Sequence, residues 1–163
     1  MPFPQAVAEM PGIWHGLRVE VAPERQPPFA VDAMVVEDDT WQVLGAEPDF
    51  RPTAEHPIRL MHELHQAEPL EPGSVIIEEG VPIHLRAIVH DLECEPSWRE
   101  EWIATALKES FRIVGKHGFR ALGTPLLGTR HGRLPAENSI RLLDEILAGQ
   151  SARPLERLWL VFP

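Results

Sequence analysis

The stretch GTPLLGTRHGRLP, residues 123–135, lies between a strand-like run at 119–122 and a helix-like run at 135–147. A loop that leaves a buried strand and enters a helix N-terminus is a natural anion site. Unpaired backbone N–H groups and the positive end of the helix dipole meet there. Glycines in such a loop let a phosphate approach the main chain closely. The same spacing also suits a plain strand-to-helix connection whose glycines serve only the turn.

The flanking segments extend the alternation in both directions. Downstream, Pro135 suits the first position of a helix, with Ile140, Leu143, Ile146 and Leu147 on its buried face. Residues 158–162, LWLVF, form an unbroken apolar run expected inside a sheet. Upstream, 97–116 is the clearest helix. Ser97 and Glu100 have the spacing of a capping box, and Trp98, Trp102, Ile103, Ala106, Leu107, Phe111 and Val114 form a wide apolar stripe. His117-Gly118 closes it. Strands are expected at 74–78 after the Pro72-Gly73 turn, and at 84–90, 30–36 and 17–21. Residues 53–67 read as a helix capped by Thr53 with Pro57 in its first turn, and 37–52 as a long loop. Strands alternating with helices imply an α/β chain, a three-layer α/β/α sandwich with a mixed central sheet. The expectation is one domain over 1–163, with an arm and first strand at 1–29 and the core at 30–163. Trp102, Leu107, Leu126 and Leu143 are expected to be buried.

Composition narrows the function classes. The 163 residues are 44% hydrophobic and 25% charged, as in soluble globular proteins. A net charge of −10 and a pI near 5.2 argue against binding to nucleic acid or an anionic membrane. No apolar run is long enough to span a bilayer. The single cysteine, Cys94, excludes an intrachain disulfide. Together with the N-terminal MPFPQAVAEM, which has neither a basic nor a long apolar region, it points to a cytoplasmic protein.

On these residues the chain resembles the macro domain family, whose members bind ADP-ribose and related nucleotides. AVDAMVVEDD at 30–39 is similar to the family's first core strand and the loop after it. Residues 71–90 resemble its glycine-initiated strand and the following strand that ends in histidine. GTPLLGTRHGRLP resembles its second phosphate loop, and RLWLVF at 157–162 its late strand. The resemblance implies a nucleotide or ADP-ribose-type binding module. Its ligand would be held by Leu127, Gly128, Thr129, Arg130, His131, Gly132, Arg133 and Leu134, with Asp38 and Asp39 on the facing loop. It implies no cofactor and no metal.

The departures from the family's pattern fall where its function lies. In place of two asparagines separated by two alanines stand Val36, Glu37, Asp38 and Asp39. Aligning the family's helix histidine with His62 puts Ala54, Glu55 and His56 at its glycine run, and its Gly-Thr-Gly becomes Gly128-Thr129-Arg130. These changes imply a divergent module without hydrolase activity; an ADP-ribosyl hydrolase is the enzyme reading that remains. The alternative is a scaffold or interaction domain that has kept the fold and lost the pocket. Glu37, Asp38, Asp39 and Glu55 bring negative charge to the first loop. Two charges about 4 Å apart interact by roughly 1 kcal/mol in water and about 4 at an effective dielectric of 20. Arg130, His131 and Arg133 bring positive charge to the second loop. They either bind a phosphate, pair with the acidic loop, or stand as ordinary solvated surface charges. Opposite charge on two facing loops leads to the expectation that Asp38 or Asp39 reaches Arg130 or His131, directly or through water.

Weaker constellations remain. His62 and His65 share a helix face at i, i+3, with His56 as a third ligand only if the first turn is distorted, so solvated histidines are the expectation. The acidic run 91–95 lacks the ligand spacing of a calcium loop. Cys94 has Arg99 as its only nearby cation. Trp14, Trp98, Trp102 and Trp159 read as packing residues, while Trp41 stands in the loop that would edge the cleft. The apolar end LWLVF needs cover, either from residues 1–16 folding back or from a second copy in a twofold homodimer.

Overall fold

A computed structural model describes residues 12–45, 68–149 and 154–162. Its elements in chain order are β1 (Ile13–Trp14), β2 (Leu17–Pro23), β3 (Ala33–Asp39), β4 (Val75–Glu78), β5 (Ile83–His90), α1 (Glu100–His117), β6 (Ala121–Pro125), α2 (Ala136–Ala148) and β7 (Arg157–Phe162). The strands form one seven-stranded sheet in the order β1-β2-β7-β6-β3-β5-β4. The five strands from β2 to β5 in that order pair in parallel, while β1 and β4 are antiparallel edges. The fold is α/β with a mixed sheet, as the alternation implied. Leu158 and Leu160 of β7 and Leu85, Ala87 and Val89 of β5 sit in the central core, and both strands have neighbours on either side. The expected helix at 53–67 and residues 1–11 of the expected arm lie outside the described residues. The two described helices pack against each other, which places them on the same side of the sheet.

Several boundaries move, each for a local reason. β3 runs on through Glu37, Asp38 and Asp39, which composition had assigned to a loop. All three carboxylates find hydrogen-bond donors inside the protein, so burial does not leave them bare. β6 begins at Ala121 instead of Phe119, because the Asp32 carboxylate accepts the N–H groups of Arg120 and Ala121 and fixes the strand's entry. α1 begins at Glu100, its N-cap is Arg99, and no side chain caps it. The capping box at Ser97 and Glu100 therefore does not form: Ser97 turns to His90, and Glu100 pairs with Arg141 and Asn138 of α2. Pro135 stands one position ahead of α2. Leu107 and Leu143 are buried, whereas Trp102 and Leu126 are only partly so. On α2, Ser139 replaces Ile140 in the buried face because its hydroxyl donates to the Leu127 carbonyl.

The topology creates a crevice. From β3 the chain moves outward to β5, and from β6 it moves the other way to β7. Connections that diverge from adjacent parallel strands open a gap at the strands' C-terminal ends. Here the neighbours are β3 and β6. Their ladder stops at Met34↔Gly123, although β3 continues to Asp39 and β6 to Pro125. The loops after these two strands, beginning at Thr40 and at Leu126, flank the opening.

Candidate functional site

The floor of this crevice is a buried polar network. The side chain of Glu37 projects from the end of β3, and its Oε1 accepts the Gly128 N–H at 2.6 Å. The same oxygen lies 2.7 Å from Nε2 of His90, the last residue of β5. His90 Nδ1 in turn lies 2.8 Å from Ser97 Oγ. Glu37 and His90 are buried, and Glu37 Oε2 has no partner among the described residues. Two strands and two loops are thus tied at one point.

Asp38 and Asp39 serve the loop after β3. Asp39 accepts the N–H groups of Trp41, Val43 and Leu44 at 2.7–2.8 Å. Asp38 accepts its neighbour's N–H and that of Gly45, and its other oxygen lies 3.3 Å from Arg86 Nη1. Arg86 also donates to the Gly45 carbonyl and to Glu78. The hydrogen bond to Glu78 does most to raise the Arg86 pKa, and the same bond holds Glu78 below the usual carboxylate range. Both aspartates are fully buried, and their charge is spent on backbone donors and one guanidinium. They are not within contact of Arg130 or His131. Arg130 stands at the surface 3.7 Å from Glu24, and His131 meets His90 edge-on with ring centroids 6.3 Å apart. No direct pairing of the expected kind is present among the described residues; the contact that is present joins Glu37, near the end of β3, to the Gly128 N–H.

The second loop is a closed turn. Leu134 N–H donates to the Gly128 carbonyl, and the Thr129 N–H and hydroxyl both donate to the Leu126 carbonyl. Gly128 has φ +87°, and a Cβ there would come within 2.9 Å of Ile103 and Leu134. Gly132 is pressed against the Trp98 ring, and its Cβ would fall 2.6 Å from the Gly128 carbonyl oxygen. Leu127 and Leu134 are buried and anchor the turn, whereas Arg130, His131 and Arg133 are exposed. Among the described residues, no protein acceptor takes the main-chain N–H groups of Arg130, His131, Gly132 or Arg133. The arrangement is a short run of unpaired donors and two arginines ahead of a helix N-terminus, suited to an anion.

The sequence had not singled out Glu37, His90 and Ser97 as a unit. Only the position of Glu37 and His90 at the ends of apolar strands hints at it. No cluster of three metal-ligating side chains occurs among the described residues, and His56, His62 and His65 lie outside them. Burial first, and the Asp91 hydrogen bond second, push the Cys94 thiol pKa up. Trp41 is partly exposed beside the opening. No described helix is long and apolar enough to cross a membrane.

No protein-family model matches the chain, and no curated protein matches it in sequence. Solved structures do match. The macrodomain of Thermus aquaticus DarG superposes with a TM-score of 0.62 at 18% identity, covering 89% of this chain and 98% of that one. The Oceanobacillus iheyensis macrodomain with ADP gives 0.62 at 15% identity, covering 91% and 85%. The macrodomain of Mycobacterium tuberculosis DarG gives 0.61 at 12% identity, covering 91% and 100%. On its sheet order, its crevice and these superpositions, the chain has the macrodomain fold.

Proposed function

We propose that this protein binds a nucleotide-type ligand of the ADP-ribose kind in the crevice between β3 and β6. Leu127, Gly128, Thr129, Arg130, His131, Gly132, Arg133 and Leu134 form its phosphate side, and the loop held by Asp38 and Asp39 its opposite wall. One observation carries the reading: four consecutive backbone N–H groups, at residues 130–133, lack protein acceptors among the described residues. An anion there gains charge-assisted hydrogen bonds in exchange for water, without breaking any within the protein. The burial of Asp38 and Asp39 supports it, since their charges are compensated before a diphosphate arrives. The fold's neighbours include the Oceanobacillus iheyensis macrodomain bound to ADP and a mutant of it bound to ADPR.

Thermal shift with ADP-ribose, ADP, AMP and phosphate tests the reading. A ligand at 100 times its dissociation constant should stabilise by about 2.7 kcal/mol. No shift with any of the four at millimolar concentration defeats it. A second reading, a scaffold that has kept the fold and lost the pocket, draws on the Glu37 carboxylate, which already occupies the Gly128 N–H. In our reading the protein acts in the cytoplasm, pairs as a twofold dimer, and does not hydrolyse its ligand. Sedimentation at micromolar concentration checks the dimer.

A further inference from the structure

We propose that Ser97, His90 and Glu37 form a nucleophilic relay that makes this protein a hydrolase of small carboxylic esters, with Ser97 as the nucleophile. The inference shares the 130–133 turn with the proposed nucleotide site and does not require that a nucleotide binds there. A carboxylate only accepts hydrogen bonds, so Glu37 Oε1 at 2.7 Å assigns the ring proton of His90 to Nε2. In the neutral ring Nδ1 then carries the lone pair, and the Ser97 hydroxyl at 2.8 Å donates to it. This is the arrangement that activates a serine: hydroxyl to imidazole, imidazole oriented by a carboxylate. Helix capping does not account for it, because Ser97 sits at a helix start yet α1 takes its N-cap from Arg99 with no side-chain cap.

The surroundings supply the other parts. Glu37 and His90 are buried, while Ser97 keeps partial solvent exposure. The Asp91 N–H donates to the Ser97 carbonyl at 2.7 Å, and His90 pairs with Trp98 across the loop, so the serine's main chain is held at both sides. The turn with four unpaired N–H groups lies against the same residues: Gly132 packs on Trp98, and His131 meets His90 edge-on. Donors of this kind stabilise the oxyanion of a tetrahedral intermediate. In the reaction, Ser97 Oγ bonds to the ester carbonyl carbon as its proton passes to His90 Nδ1. Collapse breaks the bond to the alcohol, which leaves with that proton. Water then attacks the acyl-serine with Nδ1 again as base, releasing the carboxylic acid and restoring the hydroxyl. His90 is the base, and Glu37 is a positioning residue.

A fluorophosphonate probe with intact-mass and peptide mapping tests this on the full chain. A single adduct on Ser97 is expected, with labelling slowed at least 100-fold by Ser97→Ala and about tenfold by Glu37→Gln. An unlabelled protein, an adduct on another residue, or undiminished labelling of Ser97→Ala overturns it. A second measurement removes dependence on those variants. In the Cys94→Ser background, Ser97→Cys should react with iodoacetamide at pH 7 at least tenfold faster than Cys94 does in the unmodified protein. Reaction no faster than that of Cys94 also overturns the proposal.

Discussion

Glu37 and Gly128 stand 91 positions apart in the chain, yet the Glu37 carboxylate accepts the Gly128 N–H at 2.6 Å. The bond spans the point where the β3–β6 ladder has ended and closes the floor of the crevice. It also gives the phosphate-loop resemblance a different physical footing. The acidic end of β3 does not face its basic counterpart across solvent. It reaches under it and holds it from below.

Removing this acceptor should be expensive. Glu37→Ala leaves the Gly128 N–H and the His90 ring buried without their shared partner. Breaking a buried, charge-assisted contact costs about 3–5 kcal/mol. Glu37→Gln keeps one acceptor and should cost less, about 1–3 kcal/mol. Urea denaturation with an unchanged m-value measures both. Equal costs for the two variants would show that acceptor chemistry at Oε1 is not what holds the floor.

Asp39 makes a separate prediction about the first loop. Its carboxylate gathers three backbone N–H groups within five residues. Asp39→Ala should destabilise by about 2–3 kcal/mol and raise amide exchange at Trp41, Val43 and Leu44 before the rest of the sheet opens. Uniform exchange across the sheet would contradict a local role.

Gly132→Ala separates turn shape from charge. The new methyl would meet the Trp98 ring and the Gly128 carbonyl oxygen, and a backbone atom cannot move aside cheaply. We expect a loss of about 1–3 kcal/mol together with loss of anion binding. Arg130→Ala should leave stability within about 0.5 kcal/mol, since its one ion pair among the described residues is exposed and 3.7 Å long, while weakening nucleotide binding. Calorimetry on both variants decides whether the turn and the arginine contribute as assigned.

The Arg86 cluster sets a pH dependence. The Arg86 hydrogen bond, the largest cause, lowers the Glu78 pKa from its ordinary 4.5. A carboxyl whose folded-state value is lowered adds stability above its unfolded value and loses it as pH falls through the folded one. Glu78 is 47% exposed, so Glu78→Gln should cost at most about 1 kcal/mol at pH 7, with the difference closing below about pH 4. Arg86→Ala should cost more, about 2–3 kcal/mol, because it removes the cation beside the fully buried Asp38. Denaturation midpoints from pH 3 to 7 check the sign and the order.

Local chemistry alone wrote much of the architecture into the sequence. The apolar residues of 158–162 and 87–89 require burial on both faces, and burial on both faces makes an interior strand. The stripe from Ile103 to Val114 specifies one helix face, and the strand–turn–helix order around 123–135 specifies a loop at a helix start. Only the tertiary structure decided what the acids do. A Glu-Asp-Asp run looks solvated because burying a carboxylate is costly unless it is paired. Its partners here are residues such as Gly128, Arg86 and His90, brought close by the crossing order of the strands. Ser97 shows the same limit, since a serine at a helix start reads as a cap until a histidine from another strand competes for its hydroxyl. Periodicity reports which surfaces must leave water. It carries no information about which distant donor will meet a buried acceptor, because that depends on sheet order.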